Sequence, residues 1–422
     1  MTPKKVIRAY LIITGIYNLS ASLIWGVNTL FLLAAGLNIF QVFVANAVFT
    51  ASMALFEIPT GVLADTRGRR TSFLLSVLVV MLGTLGYVAA SVFHIGLWLF
   101  IVMSVVLGLG YTFYSGAVEA WLVDALNASG YEGNLDVVFS RGAMVFGVAM
   151  LIGTVGGGAL GTINLAIPFV LRAVLLAAVF GVSFFMMHDL GFSPRPLNWA
   201  TVLPEMRTVA QDSLRFGWGK PTVRLLMATS FVLSAYMMWG FYAWQPYFLD
   251  LLGEDAPWVA GVVAALISLS TIAGNALTAR FSGIIGRRTT VLIGAGAVMS
   301  LATVAVGLTG SFWIAVGLFL LTMMMFGMMQ PVKQSYLHSC IPGDKRATVV
   351  SFDSLVGSGG SVLGQMGLGW LSQNISIASG YVVGGAFTLL AIPVLGLLRR
   401  FNEPADFFAP RQISADDDSF VT

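Results

Sequence analysis

Long apolar segments, each separated from the next by a polar connection, follow one another along the whole chain. An α-helix needs about 20 apolar residues to cross the hydrocarbon core of a bilayer. Twelve segments reach about that length, and several exceed it, which allows for tilt or overhang. The pattern predicts an all-α integral membrane protein with twelve transmembrane helices. These predicted spans cover residues 6–33, 38–62, 71–92, 95–125, 136–160, 164–187, 222–252, 257–280, 289–309, 311–340, 347–374 and 377–399.

The amino-acid composition also indicates a membrane protein. Of the 422 residues, 57% are hydrophobic and only 10% are charged, whereas about 25% of the residues of an average soluble protein are charged. The single cysteine, Cys340, excludes an internal disulfide and a cysteine-rich metal site. The three histidines are scattered and offer no ligand spacing. We therefore expect neither a metal ion nor another cofactor.

The basic residues predict the orientation of the chain. Lys and Arg concentrate in or beside every second connection, beginning with Lys4, Lys5 and Arg8 at the start of the chain. The six connections on the other side contain neither residue type. Because cytoplasmic connections carry the excess of Lys and Arg, both termini are expected in the cytoplasm, with the chain as a multi-pass protein of the cell inner (plasma) membrane. The net charge of +3 then reflects topology, so the expected surroundings are the lipid bilayer and no nucleic acid.

One long polar interruption divides six predicted spans from six. Its proline residues near both ends and its amphipathic middle fit a short helix on the cytoplasmic surface, and a plain linker fits them equally well. The predicted organisation is an N-terminal six-helix bundle, a linker, a C-terminal six-helix bundle and a cytoplasmic tail, over residues 1–187, 188–221, 222–400 and 401–422.

The two halves resemble each other in sequence. GRRTS at 68–72 recurs as GRRTT at 286–290, in each case between the second and third spans of its half. In the fifth span, one serine, three glycines and one leucine recur 211 residues later in the corresponding span of the second half. Two related, pseudo-symmetric bundles are typical of secondary transporters, which hold their substrate between the halves near the membrane midplane.

These features resemble the major facilitator superfamily over essentially the whole chain. Residues 61–70, GVLADTRGRR, are similar to the signature loop of that family between spans two and three. The segment GTVGGG at 153–158 resembles in part the glycine-rich antiporter motif of span five, but Thr154 stands where a proline is expected. That departure weakens the inference of export, while a broad similarity to bacterial drug-efflux members favours it.

The signature loop is expected to form a cytoplasmic latch between the halves. Gly68 permits the tight turn, and Gly61 would let another helix backbone approach closely. Family resemblance suggests that Asp65 faces the positive end of span eleven, and Arg69, one helical turn away, would reach Asp124 at the end of span four. Retention of positive charge in the cytoplasm explains the other arginines of the loop equally well.

Ionisable residues within the predicted spans are candidates for proton coupling, because charge inside a bilayer is costly. Glu57 lies on span two, Glu119 on span four and Asp353 at the start of span eleven. Arg141 on span five would pair with Glu119 or Glu57. A carboxylate that alternates between an apolar site and a neighbouring arginine would change its pKa and exchange a proton. The alternative is a static ion pair between Glu119 and Arg141.

Aromatic and polar residues on three spans form the predicted substrate site. Spans one and seven carry aromatic rings and amide side chains that suit an amphipathic organic ligand, and one face of span ten is polar. For Lys333 the alternatives are a substrate-anion site, a proton-linked site and neutralisation of Asp353, and for each aromatic residue the alternative is helix packing. The predicted site residues are Asn18, Trp25, Tyr236, Trp239, Tyr242, Gln245, Gln330, Lys333 and Gln334.

The sequence thus predicts a proton-coupled secondary transporter that exports a lipophilic drug or metabolite by alternating access, and that acts as a monomer. Uptake or exchange of an organic or inorganic anion is the alternative, favoured by Arg141, Arg172 and Lys333. A membrane enzyme or a sensor is a remote alternative, since the sequence shows no catalytic constellation and no nucleotide-binding loop of the GxxxxGK[ST] type.

Overall fold

The computed structural model describes residues 1–192, 217–282 and 284–408, with the side chains of Asp65, Ala279, Ser282, Asp344 and Ala347 left out of the description. This part of the chain is helical and contains no strand. Its α-helices are α1 (Pro3–Ser22), α2 (Asn28–Ala34), α3 (Ile39–Arg67), α4 (Arg69–Val92), α5 (Leu97–Tyr114), α6 (Ala117–Ala128), α7 (Leu135–Ile163), α8 (Ile167–Met186), α9 (Pro221–Leu252), α10 (Pro257–Ser282), α11 (Arg288–Leu308), α12 (Phe312–Ser339), α13 (Arg346–Asn374), α14 (Ile377–Thr388) and α15 (Ala391–Arg400).

Within the described residues, ten segments are long and apolar enough to cross a membrane. Two of them combine a pair of helices, α5 with α6 over Leu97–Ala128 and α14 with α15 over Ile377–Arg400. The first and eleventh predicted spans are helical but fall outside this set. In the first span, α1 begins with basic residues and is separated from α2 by an interruption at residues 23–27. The eleventh span corresponds to α13, which is rich in glycine and serine. The total of twelve spans therefore stays a prediction.

The helices pack around two hydrophobic cores, one for each half of the chain. Large side chains such as Phe73, Phe100 and Trp121 fill the first core, between helices α1 to α8. The second core lies between helices α9 to α15 and also takes in Phe43 of α3, whose ring stacks on Trp239 with centroids 5.8 Å apart. One aromatic side chain of the first half is thus buried in the core of the second.

The two ends of the molecule differ in charge. The connections between α3 and α4 and between α10 and α11 lie at one end, which carries arginines such as Arg69, Arg70, Arg287 and Arg288 and is called the basic end below. The opposite end, called the far end, carries the α2–α3, α4–α5 and α9–α10 connections. Of the linker between the halves, residues 193–216 lie outside the described residues, and with them the expected surface helix.

The two halves meet in direct backbone contact at the far end. A Cβ atom added to Gly158 of α7 would lie 2.7 Å from the Cα of Gly261 in α10. A Cβ added to Gly369 of α13 would likewise lie 2.7 Å from the Cβ of Phe43 in α3. Only glycine allows helices to approach so closely. We call these contacts, with the hydrogen bonds across the same end described below, the far-end closure.

Towards the basic end, α3 loses its close contact with α13. Thr50 of α3 accepts a hydrogen bond from Gln365 of α13 at 3.2 Å. Glu57, two turns further along the same face of α3, is exposed. One more turn along, a Cβ at Gly61 would meet nothing within 4 Å. In this conformation Gly61 therefore makes no close helix contact, and the space between the halves widens towards the basic end.

Candidate functional site

A cavity of about 370 Å³ lies where the two halves meet, between the far-end closure and the widening gap. Five helices of the first half and α9 of the second half contribute to its wall, together with the interruption between α1 and α2. The lining residues are Ile24, Trp25, Asn28, Asn46, Phe49, Met53, Thr84, Tyr87, Leu107, Tyr111, Phe169, Arg172, Met238, Phe241 and Tyr242.

The wall is predominantly apolar and aromatic, with a few polar groups. Asn28 and Asn46 share a long hydrogen bond of 3.5 Å between their side-chain amides. In that bond Asn46 accepts through its oxygen, and its buried amide nitrogen has no hydrogen-bond partner among the described residues. A concave apolar surface with few polar groups is typical of sites for small organic ligands. The cavity therefore suits an amphipathic organic molecule.

Arg172 of α8 is the only charged residue among those that line this cavity. Its side chain is 2% exposed, and one terminal nitrogen donates to the hydroxyl of Tyr111 at 2.9 Å. The guanidinium carbon lies 5.8 Å from the centroid of the Tyr111 ring. Its Nε is buried and has no hydrogen-bond partner within the described chain. No carboxylate of the described residues pairs with it, so it presents an uncompensated positive charge to the cavity.

Trp25 and Tyr242 are the two predicted substrate residues that line this cavity. The helix interruption at residues 23–27 positions Trp25, whose ring meets Phe241 edge-on with centroids 5.6 Å apart. Tyr242 faces the same space from α9. Asn46 and Met53, which share the α3 face of Glu57, line it as well. Arg172 was not among the predicted substrate residues, because its helix is otherwise apolar and nothing in the sequence indicates what its side chain faces.

Gln245 lies beside the cavity and joins the two halves. Its side chain is fully buried. The side-chain oxygen accepts from the backbone nitrogen of Thr29 at 2.8 Å, and the side-chain nitrogen donates to the carbonyl of Trp25 at 2.9 Å. That carbonyl is available because α1 has already ended. Both polar ends of Gln245 are thus satisfied by protein, and the residue forms part of the far-end closure.

Three other predicted substrate residues lie away from the cavity. Asn18 is buried and donates to the carbonyl of Thr14 in its own helix at 2.8 Å. Tyr236 and Trp239 are fully buried in the core of the second half. Their rings pack on Tyr381, at centroid distances of 6.4 and 5.0 Å. In this conformation these two rings of α9 serve packing within the second half.

The three polar residues predicted on span ten line a second, polar cavity near the basic end. Gln330, Lys333 and Gln334 of α12 face Asp353 of α13 across a space of about 420 Å³. The ammonium nitrogen of Lys333 lies 3.1 Å from Oδ2 of Asp353, and both side chains are 13% exposed. Ser230 of α9 donates to Oδ1 of Asp353 and accepts from Lys333. Three helices of the second half are therefore connected by one partly buried ion pair.

The remaining predicted proton-coupling residues stand open to their surroundings. Glu57, Glu119 and Arg141 are all exposed. Glu119 lies in the first turn of α6, after the helix break at Gly116, which has a φ of +69°. Within the described residues Arg141 forms no ion pair with either glutamate. The predicted pairing is therefore not made in this conformation.

At the signature loop, Gly68 ends α3 with a φ of +102°, a conformation that favours glycine. Asp189, which follows α8, accepts from the backbone nitrogen of Arg70 at 2.9 Å and so caps the start of α4. Arg70 in turn donates to the carbonyl of Phe184 at 2.8 Å. The side chain of Asp65 lies outside the described residues, so its contact with span eleven stays a prediction. The contact of Arg69 with Asp124 also stays a prediction.

The second half repeats this cap. Asp406, after α15, is fully buried and accepts from the backbone nitrogen of Thr289 at 2.8 Å and from its hydroxyl at 2.9 Å. Arg287 lies 3.9 Å from the same carboxylate. In each half an acidic residue beyond the sixth predicted span therefore holds the start of the third. This role was not predicted from the sequence, although the segments that the two carboxylates cap, GRRTS and GRRTT, were identified as a repeat.

The candidate site is a cavity between two helical bundles. Among the described residues, no group of three His, Cys, Asp or Glu side chains is placed to hold a metal ion. The chain resembles solved transporters in overall fold. It superposes on the nucleoside transporter NupG with a TM-score of 0.77 at 10% identity, covering 94% of this chain and 99% of that one. For the POT family transporter PepTSo the TM-score is 0.70 at 13% identity, covering 95% and 98%.

Sequence comparison gives a more specific assignment. An uncharacterized MFS-type transporter, YxaM of Bacillus subtilis (strain 168), is 23% identical over 400 residues, which cover 89% of this chain and 91% of that protein. The family model of the Major Facilitator Superfamily matches residues 10–365, with a second match over 256–411. The chain therefore belongs to the Major Facilitator Superfamily and is a multi-pass membrane transporter rather than an enzyme.

Proposed function

We propose that this protein is a proton-coupled secondary transporter that moves an amphipathic organic solute across the membrane by alternating access. The observation that carries the proposal is the cavity of about 370 Å³ whose wall comes from both halves. A solute in that cavity touches both bundles at once. Its binding energy therefore depends on how the bundles are inclined, as alternating access requires.

In the proposed orientation the basic end faces the cytoplasm, because positive residues are retained there. The chain then has twelve spans, lies in the inner (plasma) membrane with both termini inside, and adopts its inward-facing state in this structure. A single chain supplies every wall of the cavity. The transporter is accordingly proposed to act as a monomer.

The far-end closure is the gate that must open in the other half of the cycle. Opening it separates Gln245 from Thr29 and Trp25, and Gly158 from Gly261. Closing the basic end brings the exposed Glu57 face of α3 towards α13. The latch proposed for Gly61, Asp65, Gly68, Arg69 and Asp124 forms in that second state, where the open space at Gly61 would be filled.

The pair Lys333–Asp353 is the proposed site of proton coupling. Its carboxylate borders the polar cavity of about 420 Å³ near the basic end and accepts a hydrogen bond from Ser230 of α9, the helix that also lines the solute cavity. Protonation of Asp353 removes its charge, weakens the pair and frees Lys333 and α9 to move. Glu57, Glu119 and Arg141 are the other proposed participants, since the closing motion would bring them out of water.

The proposal is tested with purified protein in liposomes that contain a pH dye. Aromatic and aliphatic compounds in neutral, cationic and anionic forms are added outside, and proton movement is followed. We expect a solute-dependent change of internal pH that is lost in Asp353→Asn. Asp250→Asn, an exposed carboxylate near the far end, is the matched control and should behave like wild type.

The sign of the pH change reports the direction of coupling. The proposed exchange of solute for protons, which corresponds to export in the cell, makes the vesicle interior alkaline as solute enters. Acidification instead means that both move together, and would favour the uptake alternative. Proton movement that persists in Asp353→Asn removes that residue from the mechanism, and the absence of any solute-dependent signal refutes coupled transport.

A further inference from the structure

A positive charge without a counterion distinguishes the solute cavity from its surroundings. Arg172 is 2% exposed, lines the cavity, and has a buried Nε without a partner in the described part of the chain. No acidic residue lines the same space. Of the other in-membrane cations, Lys333 has Asp353 as its partner at 3.1 Å, and Arg141 is exposed. Among these three cations, only Arg172 is both buried and without a counterion in the described part of the chain.

Local interactions satisfy only part of the guanidinium. Its one hydrogen bond goes to the neutral hydroxyl of Tyr111 at 2.9 Å, and the ring of the same tyrosine lies 5.8 Å from the guanidinium carbon. Both contacts hold the side chain in place, and neither neutralises it. An uncompensated charge inside a membrane protein is unfavourable and marks a functional position.

We infer that the transported solute carries an anionic group, a carboxylate in the first instance, and that this group pairs with Arg172 while the apolar body lies against the aromatic wall. Arginine binds carboxylates through two parallel hydrogen bonds, and the free Nε offers one of them. The side-chain amides of Asn28 and Asn46 add polar contacts on the same cavity. Phe49, Phe241 and Tyr242 provide the apolar surface for the body. This inference rests on the proposed function and specifies its substrate class as amphipathic organic anions.

The test compares each carboxylate with the neutral amide of the same body, because the two have nearly the same shape and differ in charge. Phenylbutyrate and phenylbutyramide are one such pair in a panel of aryl and alkyl acids. Binding to the purified protein is measured by calorimetry and by the rise in unfolding temperature. We expect the carboxylate to bind at least about tenfold more tightly than its amide, as for a buried hydrogen bond to a charged group.

Arg172→Gln then identifies the residue responsible. Glutamine keeps a donor for Tyr111 and removes the charge, so the preference for the carboxylate should vanish while amide affinity stays the same. Arg172→Lys should retain part of the preference. Arg400→Gln, which removes an exposed arginine at the end of α15, is the control for loss of one positive charge and should bind like wild type.

Two outcomes overturn the inference. In the first, wild type binds amides as well as carboxylates, or binds no carboxylate of the panel. In the second, the preference survives in Arg172→Gln. The wild-type comparison needs no variant, so a failure of Arg172→Gln to fold leaves the test intact. Solute-dependent proton movement with neutral compounds alone would leave the proposed function standing while refuting the anionic substrate.

Discussion

At the scale of single residues, the position of a side chain in the fold, and not its type alone, determines whether it lines the cavity. Trp25 and Tyr242 were predicted from their types and line the cavity, whereas Tyr236 and Trp239 have the same character and pack in a core. The sequence places Tyr236, Trp239 and Tyr242 on one aromatic span but does not specify how far each ring lies from the other half. Arg172 shows the converse, since the role inferred for it depends on the absence of a counterion, which no local sequence pattern reveals.

Cys340 offers a prediction at this scale because it is the only cysteine of the chain. It is buried just beyond α12, and its carbonyl accepts a hydrogen bond from Lys220 at 3.3 Å. Burial raises the pKa of the Cys340 thiol above its usual range, and the nearby Lys220 opposes this effect only in part. A raised pKa leaves less of the reactive thiolate at neutral pH.

Labelling of Cys340 by a maleimide should therefore be slow at pH 7 and should accelerate about tenfold per pH unit until the raised pKa is reached. The same protein unfolded in dodecyl sulfate is the control, and its rate should level off at lower pH, near the usual thiol pKa of about 8.5. Equal rates for folded and unfolded protein at pH 7 would contradict the burial of this thiol.

At the scale of secondary-structure elements, the apolar pattern predicted where helices occur better than how they end. Ten of the predicted spans correspond to helices long and apolar enough to cross a membrane. The breaks at residues 23–27 and at Gly116 were missed, because an apolar run does not change where a helix is interrupted. The first break leaves the Trp25 carbonyl free to accept the hydrogen bond from Gln245.

The two carboxylate caps give a prediction for the elements they hold. Asp406→Ala removes a fully buried acceptor from the first turn of α11 and should lower the free energy of unfolding by about 2 kcal/mol. Asp189→Ala removes the exposed carboxylate that caps α4 and should lower it by only about 0.5 kcal/mol. Thermal unfolding in detergent measures both, with the exposed Asp255→Ala as control. The reverse order of the two variants would show that burial does not set the strength of these caps.

At the scale of the whole molecule, the prediction concerns the balance between its two open states. Gln245→Leu removes two hydrogen bonds across the far-end closure, each worth about 0.5–1.5 kcal/mol. The population open at the far end should rise by a factor between about 5 and 150. In a Cys340→Ser background, an Asn28→Cys reporter in the cavity should then react faster with an impermeant thiol reagent applied from the far side.

The matched control for this experiment is Gln373→Leu, an exposed glutamine on α13 near the far end. It should leave the labelling rate of the Asn28→Cys reporter unchanged. If Gln245→Leu also leaves that rate unchanged, the two hydrogen bonds do not contribute to the closure. The internal repeat predicted the pairing of halves, but not which end would be closed, because both states satisfy the same hydrophobic pattern.

Phe43 gives the closed far end a temperature dependence of its own. Its ring belongs to one half and is buried in the core of the other, against Trp239. In the proposed cycle, opening the far end withdraws that ring, which forgoes about 1.5–3 kcal/mol of apolar burial. Because hydrophobic association weakens on cooling and its loss raises the heat capacity, the equilibrium between the two states will shift towards an open far end in the cold. In the proposed cycle, the hydrophobic effect that stabilises the core of each half therefore also contributes to which end of the transporter is open.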